Sequence, residues 1–339
     1  MSLHLDNQKQ HKPNLILGIE TSCDETALAL YGDDGLVSDI VYSQIDEHQN
    51  YGGVVPELAA REHLLKIDPL LQQLLLQSKT DITQITHIAY TQGPGLIGAL
   101  LVGANYATAL ALGLDIPLLG INHLEAHIAS PFMNHPYPTE PFLTLLISGG
   151  HTQLIYSESF GSYKIIGESL DDAIGEAFDK TAKIMGLGYP GGPLIEQAAQ
   201  NADRAIYIPR PMIHKKGAMM SFSGLKTATR LAFNQHKDEE NIIPNIAYSL
   251  QEAICDTLIA KTTLALKETQ VDQLVVSGGV SANQTIRSRL EKLPVKTVSF
   301  PPLKYCTDNA AMVAYLGYLR RHDSPPKTLA QARWRIDDI

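Results

Sequence analysis

The chain has 339 residues, 44% of them hydrophobic and 19% charged, which suits a soluble globular protein with room for two compact lobes. No apolar run reads as long enough for a membrane span, and the polar first residues, Met1 to Asn14, lack the apolar core of a secretory signal. A net charge of −9 argues against nucleic-acid binding by bulk electrostatics, and three widely spaced cysteines (Cys23, Cys255 and Cys306) fit a reducing cytoplasm rather than a disulfide framework.

After a ragged tail over residues 1–13, Leu15 to Glu20 and Thr26 to Tyr31 read as apolar strands around a polar turn, Thr21 to Glu25. Ile85 to Tyr90 reads as a strand running into Gln92-Gly93-Pro94-Gly95. A small-residue helix follows over Ile97 to Leu112, then a strand over Ile116 to Ile121. Asn122 is a good N-cap for the helix opening at His123. Phe142 to Ile147 and Thr152 to Tyr156 form a second hairpin pattern around Ser148-Gly149-Gly150-His151. Leu170 to Gly188 reads as a helix, with Asp171, Asp172 and Glu176 early and Lys180 and Lys183 late, as the helix dipole favours. Tyr189-Pro190-Gly191-Gly192-Pro193 then forces a turn.

Asn245 to Lys267 is a longer helix whose stripe of Ile246, Leu250, Ile254 and Leu258 is core. A strand at Gln273 to Val276, the turn Ser277-Gly278-Gly279, a helix at Ala282 to Leu290, a strand at Val295 to Phe300 and a helix from Asp308 to about Arg321 complete the pattern. Hairpin, then strand, glycine turn, helix, strand, helix, therefore occurs twice. The repeat predicts two related α/β lobes: 14–140, and 141–321 with its last helix able to cross back to the first lobe. Residues 322–339 form a tail, in which Arg333-Trp334-Arg335 reads as peripheral, with a nucleic-acid contact as the alternative.

His123 and His127 stand four residues apart, so a helix puts both imidazoles on one face, where they can chelate one metal ion. Glu125 is rotated away from that face and does not follow the first His directly, as the base of a common zinc peptidase would. Asp308 reads either as an acid favoured at a helix start or as a third, oxygen ligand. Two imidazoles and one carboxylate suit Fe(II) or Zn(II), and spacing does not separate the two. Four glycine or acidic turns, around Asp24, Gly93–Gly98, Ser148–Gly150 and Ser277–Gly279, could bring backbone N–H groups to an anion, as in a nucleotide clamped between lobes. Asp24 and Glu25 could hold a phosphate-bound magnesium or orient a nucleophile, or Asp24 could simply be an Asx-type turn residue. Arg204, Arg210, Lys215, Lys216, Lys226 and Arg230 are candidates for a local basic patch or for ordinary solvated surface.

Gly18-Ile19-Glu20-Thr21-Ser22-Cys23-Asp24-Glu25-Thr26, Gly52 to Glu57, Gln92 to Gly95, Asn122 to His127, Ser148 to Thr152, Gly175 to Lys180, Tyr189 to Pro193, Ser221 to Thr227, Gly278 to Asn283 and Thr307 to Met312 resemble, in order, the motifs of the TsaD (Gcp/YgjD) family. The chain departs from the family pattern at Thr108, where a basic residue is usual, at Ala126, where glycine is common, and in lacking a proline near its end.

The resemblance implies an ASKHA fold of two actin-like lobes. It implies transfer of a threonylcarbamoyl group from threonylcarbamoyl-AMP to N6 of the adenosine 3′ of the anticodon, in tRNAs that read codons beginning with A. His123, His127 and Asp308 would hold one Fe(II), with Zn(II) as the rival. Leu146, Ile147, Ser148, Gly149, Gly150, Asp179, Gly192, Glu196 and Asn283 would bind the adenylate or ATP, with or without Mg(II), and Asp24 and Glu25 would line the reaction site as catalytic residues. The implied partners are tRNA, TsaB and TsaE, with TsaC supplying the adenylate, and the implied location is the cytoplasm, with no membrane. The rival readings are a metallopeptidase, a small-molecule kinase of the same fold, and a non-catalytic scaffold.

Overall fold

The computed structural model describes residues 13–339. The tail expected over residues 1–13 lies, except for Pro13, outside them. Strands β1 (Leu15–Glu20), β2 (Glu25–Gly32) and β3 (Gly35–Ser43) form an antiparallel meander. Strand β4 (His87–Gly93) pairs parallel with β1, and β5 (Leu118–Asn122) pairs parallel with β4, so the sheet runs β3-β2-β1-β4-β5. The second sheet repeats the plan. Its meander is β6 (Phe142–Ile147), β7 (Thr152–Ser159) and β8 (Ser162–Glu168); β9 (Gln273–Ser277) and β10 (Thr297–Ser299) extend it in parallel, in the order β10-β9-β6-β7-β8. Read from opposite edges the two orders are identical, which is the duplication expected from sequence. Central strands β1 and β6 are nearly continuous apolar runs because both faces are covered.

The helices are α1 (Ile45–His48), α2 (Pro56–Ser78), α3 (Ile97–Leu114), α4 (His123–Ala129), α5 (Ile174–Ile184), α6 (Gly191–Ala199), α7 (Ser223–Gln235), α8 (Ile242–Thr269), α9 (Gln284–Leu290) and α10 (Ala310–Leu319). On α8 the expected stripe of Ile246, Leu250, Ile254 and Leu258 is buried. Helix α10 follows the second sheet in sequence but packs on the first. A Cβ on Gly18 of β1 would lie 2.5 Å from the Ala310 carbonyl oxygen, and one on Gly317 of α10 would lie 2.4 Å from the Ala89 Cβ. Only glycine lets backbone and strand approach that closely. This crossing carries Asp308 from the second half of the chain to the end of the first sheet.

Four expectations are corrected. The helix expected over Leu170 to Gly188 is only α5, because Asp171 is drawn away to accept hydrogen bonds from the backbone N–H groups of Phe222 and Ser223 at the start of α7, at 2.8 and 3.1 Å. The last helix does not open at Asp308: Asn309 caps it, accepting from the Met312 N–H at 3.0 Å, which leaves Asp308 outside the helix. Among the described residues one helix, α3, is long and apolar enough to cross a membrane by length and composition, with a mean hydropathy of 1.7; its Ala99, Leu100, Gly103, Ala104, Ala107 and Ala111 are buried against the first lobe.

The C-terminal tail is peripheral only in part: Arg333 and Arg335 are exposed, but the segments on either side are tied to the first lobe. The Gln331 N–H donates to the Gln92 carbonyl at 2.7 Å, Tyr90 donates to the Leu329 carbonyl at 2.9 Å, and Ile336 is buried in the core. At Gly93, with φ +155°, a Cβ would collide with the Gln331 oxygen, so the strap lies flat on the glycine turn.

Candidate active site

Asn122, the last residue of β5, caps α4 as expected: its side-chain oxygen accepts from the N–H groups of Leu124 and Glu125 at 2.9 and 3.2 Å. The cap fixes where the helix begins and sets His123 and His127 on its inner face, with ring centroids 4.7 Å apart and planes at 85°. Asp308 meets both rings. Its Oδ1 lies 3.0 Å from His127 Nε2 and 3.5 Å from His123 Nε2. One ligand atom from each of the three residues falls within 4.8 Å of the others. Two neutral-nitrogen donors and one hard oxygen at that spacing fit a divalent ion with coordination positions left for a substrate. Cys306 takes no part; its thiol is buried against the Arg287 guanidinium and the carbonyls of Pro301 and Pro302.

The charges support one another. Burial would raise the Asp308 carboxyl, but the His123 and His127 imidazoles outweigh it and hold the acid far below its usual range. Burial would lower His123, yet Asp308 and Glu20 raise it well above an ordinary histidine. Glu20, at the end of β1, has no part in the sequence-level site. It is fully buried, and its Oε2 lies 3.1 Å from His123 Nδ1. Ser22 was also missed; its hydroxyl is 3.3 Å from the same nitrogen. No local sequence signal joins residues a hundred positions apart.

The polar turn after β1 faces this cluster. Asp24 is buried, and burial together with Asp24 and Asp308 pushes the Glu25 carboxyl well up. Burial, and then the charges of Asp24 and Asp179, raise the Tyr189 phenol. Asp179 accepts from the Gly191 N–H at 2.7 Å. Gly192 is half-buried with open space where a Cβ would stand.

Leu146 and Ile147 are buried in β6, while Ser148 is half-buried and Gly149 and Gly150 are exposed at the hairpin tip. Glu196 accepts from the Gln284 N–H at 2.6 Å. Asn283 is committed at both ends of its amide: it caps α9 through the Ile286 N–H at 2.9 Å and donates to Gln251 at 2.9 Å.

Glu125 is turned away from the metal ligands, as expected. Arg320 grips it with two hydrogen bonds, at 2.6 and 2.9 Å, and Tyr163 donates to it at 2.9 Å. A carboxylate so engaged cannot serve as the base of a metallopeptidase.

His151, between the turn and the two ligand imidazoles, is pushed down to about 4 by burial and then by His123 and His127. A histidine whose folded value lies below 6.5 is neutral when the unfolded chain begins to take up protons. Its share of stability is therefore complete above pH 6.5 and is lost as the pH falls toward 4. In urea titrations of metal-free protein, the fall in unfolding free energy from pH 7 to pH 5 should be shallower in His151→Asn than in the parent, by about 2 kcal/mol. Parallel pH profiles for the two proteins would contradict the assignment.

The description "TsaD: tRNA N6-adenosine threonylcarbamoyltransferase" belongs to a family model that matches residues 35–315. The chain belongs to the TsaD family. A Nitrosomonas eutropha protein of that same name is 48% identical over 96% of this chain and 100% of its own length, and one from Herminiimonas arsenicoxydans is 49% identical over 96% and 99%. The chain is accordingly a transferase of this family, one that modifies tRNA. Among solved structures, HypF from T. kodakarensis aligns with a TM-score of 0.59 at 14% identity, over 92% of this chain and 48% of that one. Component A of the Acidaminococcus fermentans (R)-2-hydroxyglutaryl-CoA dehydratase aligns at 0.54 and 14%, over 91% and 100%. At such identities the likeness is one of fold, and it agrees with the duplicated two-lobe ASKHA architecture expected from sequence.

Proposed function

We propose that this chain moves the threonylcarbamoyl group of threonylcarbamoyl-AMP to N6 of the adenosine 3′ of the anticodon, in tRNAs reading codons that begin with A. The observation that carries this reading is the meeting of His123, His127 and Asp308 beside the Asp24–Glu25 turn, on a chain of the TsaD family. The same three residues would hold one Fe(II), or Zn(II) as the rival. The bound ion would supply Lewis-acid polarisation of the donor's carbonyl or phosphate.

The protein's own groups would do the rest. The exposed Gly149 and Gly150 turn would set backbone N–H groups against phosphate oxygens, with Ser148 beside it and Leu146 and Ile147 fixing its base. Asp179, Gly192 and the Glu196–Asn283 corner would line the nucleoside end; Asn283 would act through the backbone it holds, since its amide is spent. Asp24 and Glu25 would line the reaction site, and the upward-shifted Glu25 carboxyl would exchange a proton there with the reacting groups. The amine nitrogen forms a bond to the carbamoyl carbon, the bond from that carbon to the phosphate oxygen breaks, AMP leaves, and the amine gives up one proton. No covalent enzyme intermediate is needed; trapping a threonylcarbamoyl adduct on the chain would overturn direct transfer.

A chain of net charge −9 needs local positive surface to meet tRNA. Lys215 and Lys216 are exposed on a loop tied down by Lys261, whose ammonium donates to the carbonyls of Lys215 and Gly217 at 2.7 and 2.9 Å. TsaB and TsaE would supply further surface, and TsaC the adenylate.

The test is reconstitution from purified components, with tRNA and threonylcarbamoyl-AMP and mass spectrometry of the digested tRNA. Threonylcarbamoyladenosine should form with the donor and not without it. Its absence with all partners present would refute the assignment.

A further inference from the structure

A fully buried carboxylate needs a partner, and among the described residues no lysine or arginine is paired with Glu20. Its two oxygens are used in three directions. Oε1 accepts from the Ser22 N–H at 2.5 Å, and Oε2 accepts from the Thr91 hydroxyl at 2.5 Å and faces His123 Nδ1 at 3.1 Å. A carboxylate only accepts, so the His123 nitrogen it faces must carry the hydrogen. With Nδ1 held on Glu20, the ring atom left for an ion is Nε2, which is turned toward Asp308, 3.5 Å away, and His127. His127 differs: its Nδ1 is buried and finds no partner among the described residues. Only one of the two imidazoles is therefore oriented from behind.

We infer that Glu20 is a positioning residue for the metal centre, holding His123 as the Nδ1–H tautomer so that Nε2 is its ligand atom. The inference rests on the metal reading given above. Outer carboxylates of this kind are worth about 10–100-fold in metal affinity, because they fix both the tautomer and the ring angle. Glu20 touches neither substrate nor metal in this arrangement; it acts through His123.

Glu20→Gln separates this role from simple packing. The amide oxygen can still accept from Ser22, and the amide nitrogen can still meet the Thr91 oxygen. That nitrogen, however, is a donor, and it would favour an unprotonated Nδ1 and hence a hydrogen on Nε2, the wrong tautomer for a ligand. With Zn(II) as probe, competed against a chromophoric chelator without tRNA or donor, affinity should fall about 10–100-fold in Glu20→Gln. Thr91→Val, which removes a Glu20 contact but leaves His123 alone, should change it less than about threefold. Equal losses in the two variants, or none in Glu20→Gln, would overturn the assignment.

A measurement on the unaltered protein covers the case of a variant that does not fold. Nitrogen-15 histidine spectra of the Zn(II)-loaded chain should show His123 protonated at Nδ1 and metal-bound through Nε2, and binding through Nδ1 would overturn it. If the unaltered chain takes up no Zn(II) or Fe(II) at all, it is the metal reading itself that fails.

Discussion

Replacing Asp308 with alanine should lower threonylcarbamoyladenosine formation by about 10³-fold, and it should also lower the unfolding midpoint of the metal-free protein, because His123 and His127 lose the carboxylate that they face. Loss of Lewis-acid stabilisation costs several kcal/mol in a transition state, and each 1.36 kcal/mol is a factor of ten. Asp308 stands ahead of α10 rather than in its first turn, so the change removes no cap; Asn309 still supplies it. Removing the carboxylate also leaves His123 and His127 facing each other across the gap it filled. The readout is initial rate with saturating donor and tRNA, next to metal content. A variant within threefold of the parent would mean that Asp308 serves only the fold.

The second large effect is on stability. Glu125 is almost wholly buried, and its bidentate partner Arg320 lies largely inside, at the end of α10. Tyr163 of β8 completes the knot, so one carboxylate ties α4, α10 and the second sheet together. Changing Arg320 to methionine strands an uncompensated buried charge and should destabilise the protein by about 3–5 kcal/mol in chemical denaturation. The paired change of Glu125 to leucine with Arg320 to methionine should recover much of that loss, because it removes both charges together. A single-variant loss under about 1 kcal/mol would show that solvent reaches the pair.

Much of the fold and of the site is legible in the sequence. The twice-repeated order of hairpin, strand, glycine turn and helix maps onto two sheets of one topology, and Asn122 caps the helix bearing His123 and His127. Elements shaped by distant partners were not readable. Strand β3 is half exposed along its length, and the 23-residue α2 carries Pro69 inside it, so neither shows a clean period. Asp171 looks like a helix-start acid, yet it serves a different helix fifty residues on. Glu20 sits in a strand as one polar residue among apolar ones, and only the fold brings it to His123. The strap from Thr328 to Trp334 has no apolar pattern; main-chain hydrogen bonds to Gln92 and Gly95 hold it.

The chemistry assigned to this site requires that His123, His127 and Asp308 grip a metal. The deciding measurement is metal analysis of the chain purified without oxygen, set against His123→Ala and His127→Ala prepared alike. The parent should carry about one iron or zinc per chain, as three ligands around a single ion require, and each variant should lose most of it. Unchanged metal content in both variants would place the ion elsewhere and leave His123, His127 and Asp308 without the chemistry assigned to them.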